Sequence, residues 1–114
     1  MAVIAFWHNP RCSKSRQALA LVENQPGLQL RLYLQDPPSE GELRALHAKL
    51  GGPVRAMMRT KEAVYKSMGL AQASDDALFA AMAAHPILIE RPVAQTDRAA
   101  RIGRPPELVL ELLG

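Results

Sequence analysis

Val3-Ile4-Ala5-Phe6-Trp7-His8-Asn9-Pro10-Arg11-Cys12-Ser13-Lys14-Ser15-Arg16-Gln17-Ala18-Leu19-Ala20-Leu21-Val22 contains a strand, a break and a helix in that order. The apolar run ending at Trp7 reads as a buried strand over residues 2–7, and Asn9-Pro10 ends it. From about Ser13 to Glu23, the positions Ala18, Leu19 and Val22 share one helical face. Asn24-Gln25-Pro26-Gly27 stops that helix. Leu28, Leu30, Leu32 and Leu34 then recur at period two, which predicts a second strand with one buried face. A strand–helix–strand unit of this length closes through a right-handed crossover and pairs its strands in parallel. The expected class is therefore α/β.

Asp36-Pro37-Pro38 interrupts the chain, and Ser39 with Glu42 forms a capping box for a helix through Leu43, Leu46 and Leu50. Gly51-Gly52-Pro53 ends it. Val54, Met57 and Met58 lie in a short turn, and a helical piece is expected at Glu62–Ser67, closed by Gly69. Ser74 or Asp75 starts another helix that turns Leu78, Phe79 and Met82 inward and ends at His85-Pro86. Residues 36–86 thus read as a helical insertion. Val93–Gln95 and Ala99–Ile102 are expected to form an antiparallel hairpin around Thr96-Asp97-Arg98, and Pro105-Pro106 seeds a final helix. The resulting order is β-α-β, helical insertion, β-β-α, in one domain spanning residues 1–114.

Cys12 is the single cysteine of the 114 residues. It stands where the strand gives way to the helix, so it faces unpaired backbone N–H groups and the positive end of the helix dipole. Arg11, Lys14 and Arg16 push in the same direction, toward the nucleophilic thiolate. A lone cysteine forms no intramolecular disulfide, so any redox cycle takes its second thiol from outside. His8 is read either as a structural imidazole bonded to the loop or as a charge that helps hold the thiolate. Ser15 either donates to the sulfur from one helical turn away or is an ordinary polar residue of that turn. His47 and His85 read as structural, and no cysteine–histidine cluster suggests a metal. A phosphatase-type loop is excluded because Ala18 stands where its arginine would be. A Cys-x-x-Cys motif is excluded by Ser15.

Arg59, Arg91 and Arg104 sit at structural transitions rather than on helical faces, two of them directly before proline. Guanidinium groups bind tetrahedral oxyanions through paired N–H donors. Convergence of the three on the thiolate is one reading and separate surface charges are the other. The net charge of +3 is spread along the chain, with only two tyrosines, two phenylalanines and one tryptophan for base stacking. A nucleic-acid partner is therefore not expected. No apolar run reaches membrane-spanning length and no signal peptide is evident, so a cytoplasmic location without membrane contact is expected.

The string His8-Asn9-Pro10-x-Cys12-Ser13-x-Ser15-Arg16 resembles the active-site loop of glutathione- and glutaredoxin-coupled arsenate reductases, the ArsC family. The resemblance continues through Tyr33-Leu34 to Pro37-Pro38-Ser39, and through Met58-Arg59-Thr60-Lys61-Glu62 with Tyr65-Lys66 and Gly69-Leu70. It extends over His85-Pro86-Ile87-Leu88-Ile89-Glu90-Arg91-Pro92-Val93 and Ile102-Gly103-Arg104-Pro105-Pro106-Glu107. It implies a thioredoxin-like mixed sheet with Pro92 at the position of a cis-proline. It also implies Cys12 as nucleophile, Arg59, Arg91 and Arg104 as oxyanion-binding residues, and His8 and Ser15 as supports of the thiolate. No bound cofactor or metal is implied; arsenate or a similar small oxyanion is the substrate, glutathione a co-substrate and glutaredoxin a partner. Some relatives with this loop act as stress regulators that bind RNA polymerase, so a redox-responsive regulator binding a transcription complex is an alternative. A glutathione-dependent thiol reductase is a further alternative.

Overall fold

A computed structural model describes residues 3–113. Four short strands form one mixed sheet in the order β2-β1-β3-β4. β1 (Ala5–Trp7) pairs in parallel with β2 (Gln29–Arg31), with Phe6 opposite Leu30. On its other side β1 runs antiparallel to β3 (Val93–Gln95), which pairs antiparallel with β4 (Ala100–Ile102). The crossover between β1 and β2 is α1 (Ser13–Val22). The expected α/β class, mixed sheet and hairpin are all present.

The chain divides into two compact units, Met1–Asp36 with Arg91–Gly114, and Pro37–Glu90. In the sheet unit, Ile4, Phe6, Ala18, Val22, Ala94 and Val109 form a buried cluster, with Leu19, Leu28 and Leu112 packed at its margin. This cluster joins the inner strands to the apolar face of α1 and to the closing helix, Pro106–Leu112. That last helix is wound as 3₁₀ rather than α, with Pro106 in its first turn. Only the local periodicity of Leu108, Val109 and Leu112 was available to sequence reasoning, and it does not separate the two windings.

One expectation fails at β2. The period-two leucines predict a buried face over Leu28–Leu34, yet Leu30 is 52% exposed and Leu34 is 42% exposed. β2 is an edge strand of only three residues, and the chain turns where Gln35 N and Asp36 N both donate to Leu32 O. Tyr33, out of phase with the leucines, is the buried residue of this segment.

The helical unit begins as the sequence suggests. Ser39 Oγ accepts from Glu42 N at 3.1 Å while Glu42 Oε1 accepts from Ser39 N at 2.9 Å, capping α2 (Glu40–Leu50). Gly51 ends it at φ 72°, a backbone conformation open to glycine. After a 3₁₀ turn at Val54–Met57 come α3 (Ala63–Ser67) and α4 (Asp75–Ala84), the latter capped by Ser74. Leu43, Leu46, Leu78 and Met82 are fully buried. The unit extends past the expected boundary at 86 because a 3₁₀ turn at Pro86–Leu88 and a bridge from Ile89 to Met58 hold residues 87–90 in it.

Candidate active site

Cys12 is the N-cap of α1, with extended backbone (φ −94°, ψ 121°). β1 ends at Trp7, and the loop is pinned at both ends. His8 N donates to Arg31 O at 2.8 Å, Cys12 N to Asn9 O at 3.0 Å, and Arg16 N to Cys12 O at 3.0 Å. Arg16 Nη1 also reaches back to Pro10 O at 2.9 Å. The loop is thus closed by its own residues, and the thiol is 8% exposed.

Two opposing effects set the protonation of that thiol. Burial raises its pKa; the Ser15 N–H, the hydrogen bond and charge of Arg91, and the Lys14 N–H lower it. The lowering prevails, and the thiol lies below its ordinary value. Both amides belong to the first turn of α1, whose N-terminal N–H groups favour the charged sulfur. Arg104 Nη2 points at Sγ from 3.8 Å, and Arg104 Nε donates to Arg91 O at 2.8 Å. Arg91 and Arg104 therefore converge on the sulfur.

Both arginines precede a cis peptide bond, Arg91-Pro92 and Arg104-Pro105. The first was expected from the resemblance and the second was not. Between them lies Gly103, whose N–H donates to Pro92 O at 2.9 Å. A Cβ at Gly103 would stand 2.7 Å from Pro92 Cγ, 3.2 Å from Val109 and 3.3 Å from Ala18. Only glycine fits this junction.

Of the remaining candidates, His8 and Ser15 are bonded to each other within the loop, and Arg59 lies in the helical unit. Ser15 is fully buried, and its hydroxyl accepts from Asn9 N at 3.0 Å and lies 2.7 Å from His8 Nδ1. Its contribution to the thiolate is its backbone N–H. His8 has a lowered pKa because of burial and the nearby charge of Arg16, so its imidazole is neutral near pH 7 rather than a charge facing the sulfur. Of the cations flanking Cys12, Arg16 bears on His8, and Lys14 acts through its amide. Arg59 belongs to the helical unit, where its Nη1 lies 3.2 Å from Glu62 Oε1 and its N–H donates to Leu88 O at 2.7 Å.

Sequence reasoning missed Arg55. Its Nη2 donates to Leu70 O, Ala71 O and Ala73 O at 2.8, 3.2 and 2.9 Å, and Nε donates to Tyr65 Oη at 3.1 Å. It is a structural clamp, and no spacing in the sequence distinguishes it from a surface arginine. Among the described residues there is no cluster able to hold a metal ion, and no helix long and apolar enough to cross a membrane.

The chain is similar over nearly its whole length to known proteins. A protein named arsenate reductase in Haemophilus influenzae is 51% identical over 118 residues, covering 99% of this chain and all of that one. The Escherichia coli protein YfgD is 46% identical over 115 residues, covering 97% of each. A solved arsenate reductase from Vibrio cholerae superposes with a TM-score of 0.90 at 55% identity, covering 96% of this chain and 97% of that one. This likeness places the sheet and helices in the thioredoxin-like α/β class expected from the motifs. With a family profile matching residues 7–112 over the cysteine loop and both Arg-Pro turns, the chain belongs to the ArsC family.

Proposed function

We propose that this chain reduces arsenate to arsenite, with Cys12 as nucleophile and glutathione and glutaredoxin as external thiols. The observation that carries the proposal is the sulfur of Cys12, the N-cap residue of α1, its pKa lowered, with the Arg104 guanidinium 3.8 Å away and Arg91 hydrogen-bonded to it. Relatives named arsenate reductase along the whole chain supply the substrate. Arg59 enters from the motif alone.

In the proposed reaction the thiolate bonds to pentavalent arsenic, and one arsenic oxygen leaves as water. Guanidinium groups offset the charge of the oxygens as they crowd the arsenic. A glutathione thiol then bonds to arsenic and displaces a second oxygen as water. Arsenic gains two electrons as its two bound sulfurs leave together as a disulfide, one water adds back to complete arsenite, and glutaredoxin restores the thiols by disulfide exchange. The setting is a reducing cytoplasm, where such thiols persist.

A coupled assay with arsenate, glutathione and glutaredoxin tests this. Wild type should turn over, Cys12→Ser should be inactive, and Arg91→Ala should lose about 100-fold or more in kcat/KM, as when one preorganised donor is removed. Turnover by Cys12→Ser equal to wild type would refute the mechanism.

A further inference from the structure

A cavity of 240 Å³ opens beside the nucleophile loop, lined by His8, Asn9, Pro10, Arg11, Leu32, Leu34 and Gln35. Every lining residue belongs to the sheet unit. Its walls are mixed. Pro10, Leu32 and Leu34 are its apolar lining residues, while Asn9, Arg11 and Gln35 are polar ones. This composition also gives the exposed Leu34 a purpose, since it stands at 42% exposure on a segment whose pattern calls for burial.

Arg11 is the residue immediately before Cys12. Its backbone N–H is used by Asn9 Oδ1 at 3.0 Å, and its exposed guanidinium forms no ion pair among the described residues. It therefore differs from Arg91 and Arg104, which are turned to the sulfur, and from Arg16, which is tied to Pro10 O. A lining residue of this cavity thus carries an exposed guanidinium, one position along the chain from the reacting thiol.

We infer that this cavity seats the external thiol: a small carboxylate-bearing thiol peptide of the glutathione class, with Arg11 holding a carboxylate and Leu32 and Leu34 packing on its aliphatic parts. The inference rests on the proposed reduction, which needs such a thiol because the chain has one cysteine. The Cα atoms of the lining residue Arg11 and of Cys12 are about 3.8 Å apart, as for any consecutive residues, within the roughly 10 Å of an extended tripeptide. In the step served, the peptide's sulfur bonds to the arsenic on Cys12. An arsenic-bound hydroxyl leaves as water, taking the thiol proton. Charge complementarity favours this occupant over arsenate, for which the converging Arg91 and Arg104 already provide.

The probe is S-methylglutathione, which keeps both carboxylates and cannot react. Added to the full chain without arsenate, it should shift the backbone amide resonances of Arg11, Leu32, Leu34 and Gln35 saturably. Arg11→Ala should weaken that binding about threefold to tenfold, the worth of one solvent-reached charged contact, and Arg11→Lys should restore most of it. In the coupled assay Arg11→Ala should raise KM for glutathione by the same factor and leave KM for arsenate unchanged. Leu34→Asp, on an exposed position, should do the same. Shifts confined elsewhere, or an Arg11→Ala effect on arsenate instead of glutathione, would overturn the inference. Saturable shifts in a chain that fails to reduce arsenate would retain the subsite and remove the proposed reaction.

Discussion

At Cys12 burial and electrostatics oppose one another, and the outcome decides whether the residue is inert or nucleophilic. Burial raises the thiol pKa, while the Ser15 N–H, Arg91 and the Lys14 N–H lower it further than burial raises it. The thiolate is the reactive form above the folded pKa, so a depressed value moves reactivity to lower pH. The rate of alkylation by iodoacetamide, followed against pH, should therefore reach half its plateau at a lower pH than in the unfolded chain. In Arg91→Ala, which loses both a hydrogen bond and a charge, that midpoint should move upward. An unmoved midpoint would mean that the helix amides alone set the ionisation. By linkage the same depression stabilises the fold at high pH, fully above the thiol pKa of the unfolded chain, and is lost as pH falls through the folded value. His8 supports this arrangement without charge, through the hydroxyl of Ser15 that it shares with the Asn9 N–H.

The elements that sequence reasoning placed well are those whose signals are local. The Ser39–Glu42 box, the Ser74 cap and the strand–loop–helix around Cys12 each depend on residues a few positions apart. What escaped it depends on distant neighbours. Leu30 and Leu34 alternate as a buried face should, but an edge strand of three residues has only one partner to cover it. Arg91 and Arg104 stood out by the prolines after them, while their convergence on one sulfur is set by β3 and β4 bringing positions 92 and 103 together. Gly103 shows the same limit: nothing near it in the chain demands glycine, and Pro92, Val109 and Ala18 do. Gly103→Ala forces a Cβ to within 2.7 Å of a proline ring that has little freedom to yield. It should cost about 1–3 kcal/mol, the usual range for overpacking, measured as a drop in the urea midpoint. Because Arg104 follows directly, the variant should also lose arsenate turnover beyond what its folded fraction explains. A midpoint equal to wild type would show that Pro92 and the closing helix separate freely.

For the molecule as a whole, a single cysteine constrains the reaction more tightly than any contact does. Reduction of arsenate needs two electrons, and a thiol delivers two only by pairing its sulfur with a second one. The chain holds one sulfhydryl, partly sheltered at a helix terminus, and no second cysteine to resolve an adduct. The protein alone, mixed with arsenate, can therefore carry the reaction only as far as the covalent arsenic–sulfur adduct. Arsenite should not appear in that mixture, whatever the enzyme concentration. Adding glutathione and glutaredoxin should release arsenite, with one disulfide formed outside this chain for each arsenite produced. Quantifying arsenite by arsenic speciation, with and without the external thiols, checks the point directly. Arsenite formed in the thiol-free mixture would mean that two copies of the chain share the electrons through an intermolecular disulfide, which non-reducing electrophoresis would reveal as a dimer. Its absence there, with full release on adding thiols, means that the second sulfur of the disulfide that reduces arsenic comes from a partner, and makes access to Cys12 the quantity on which turnover depends.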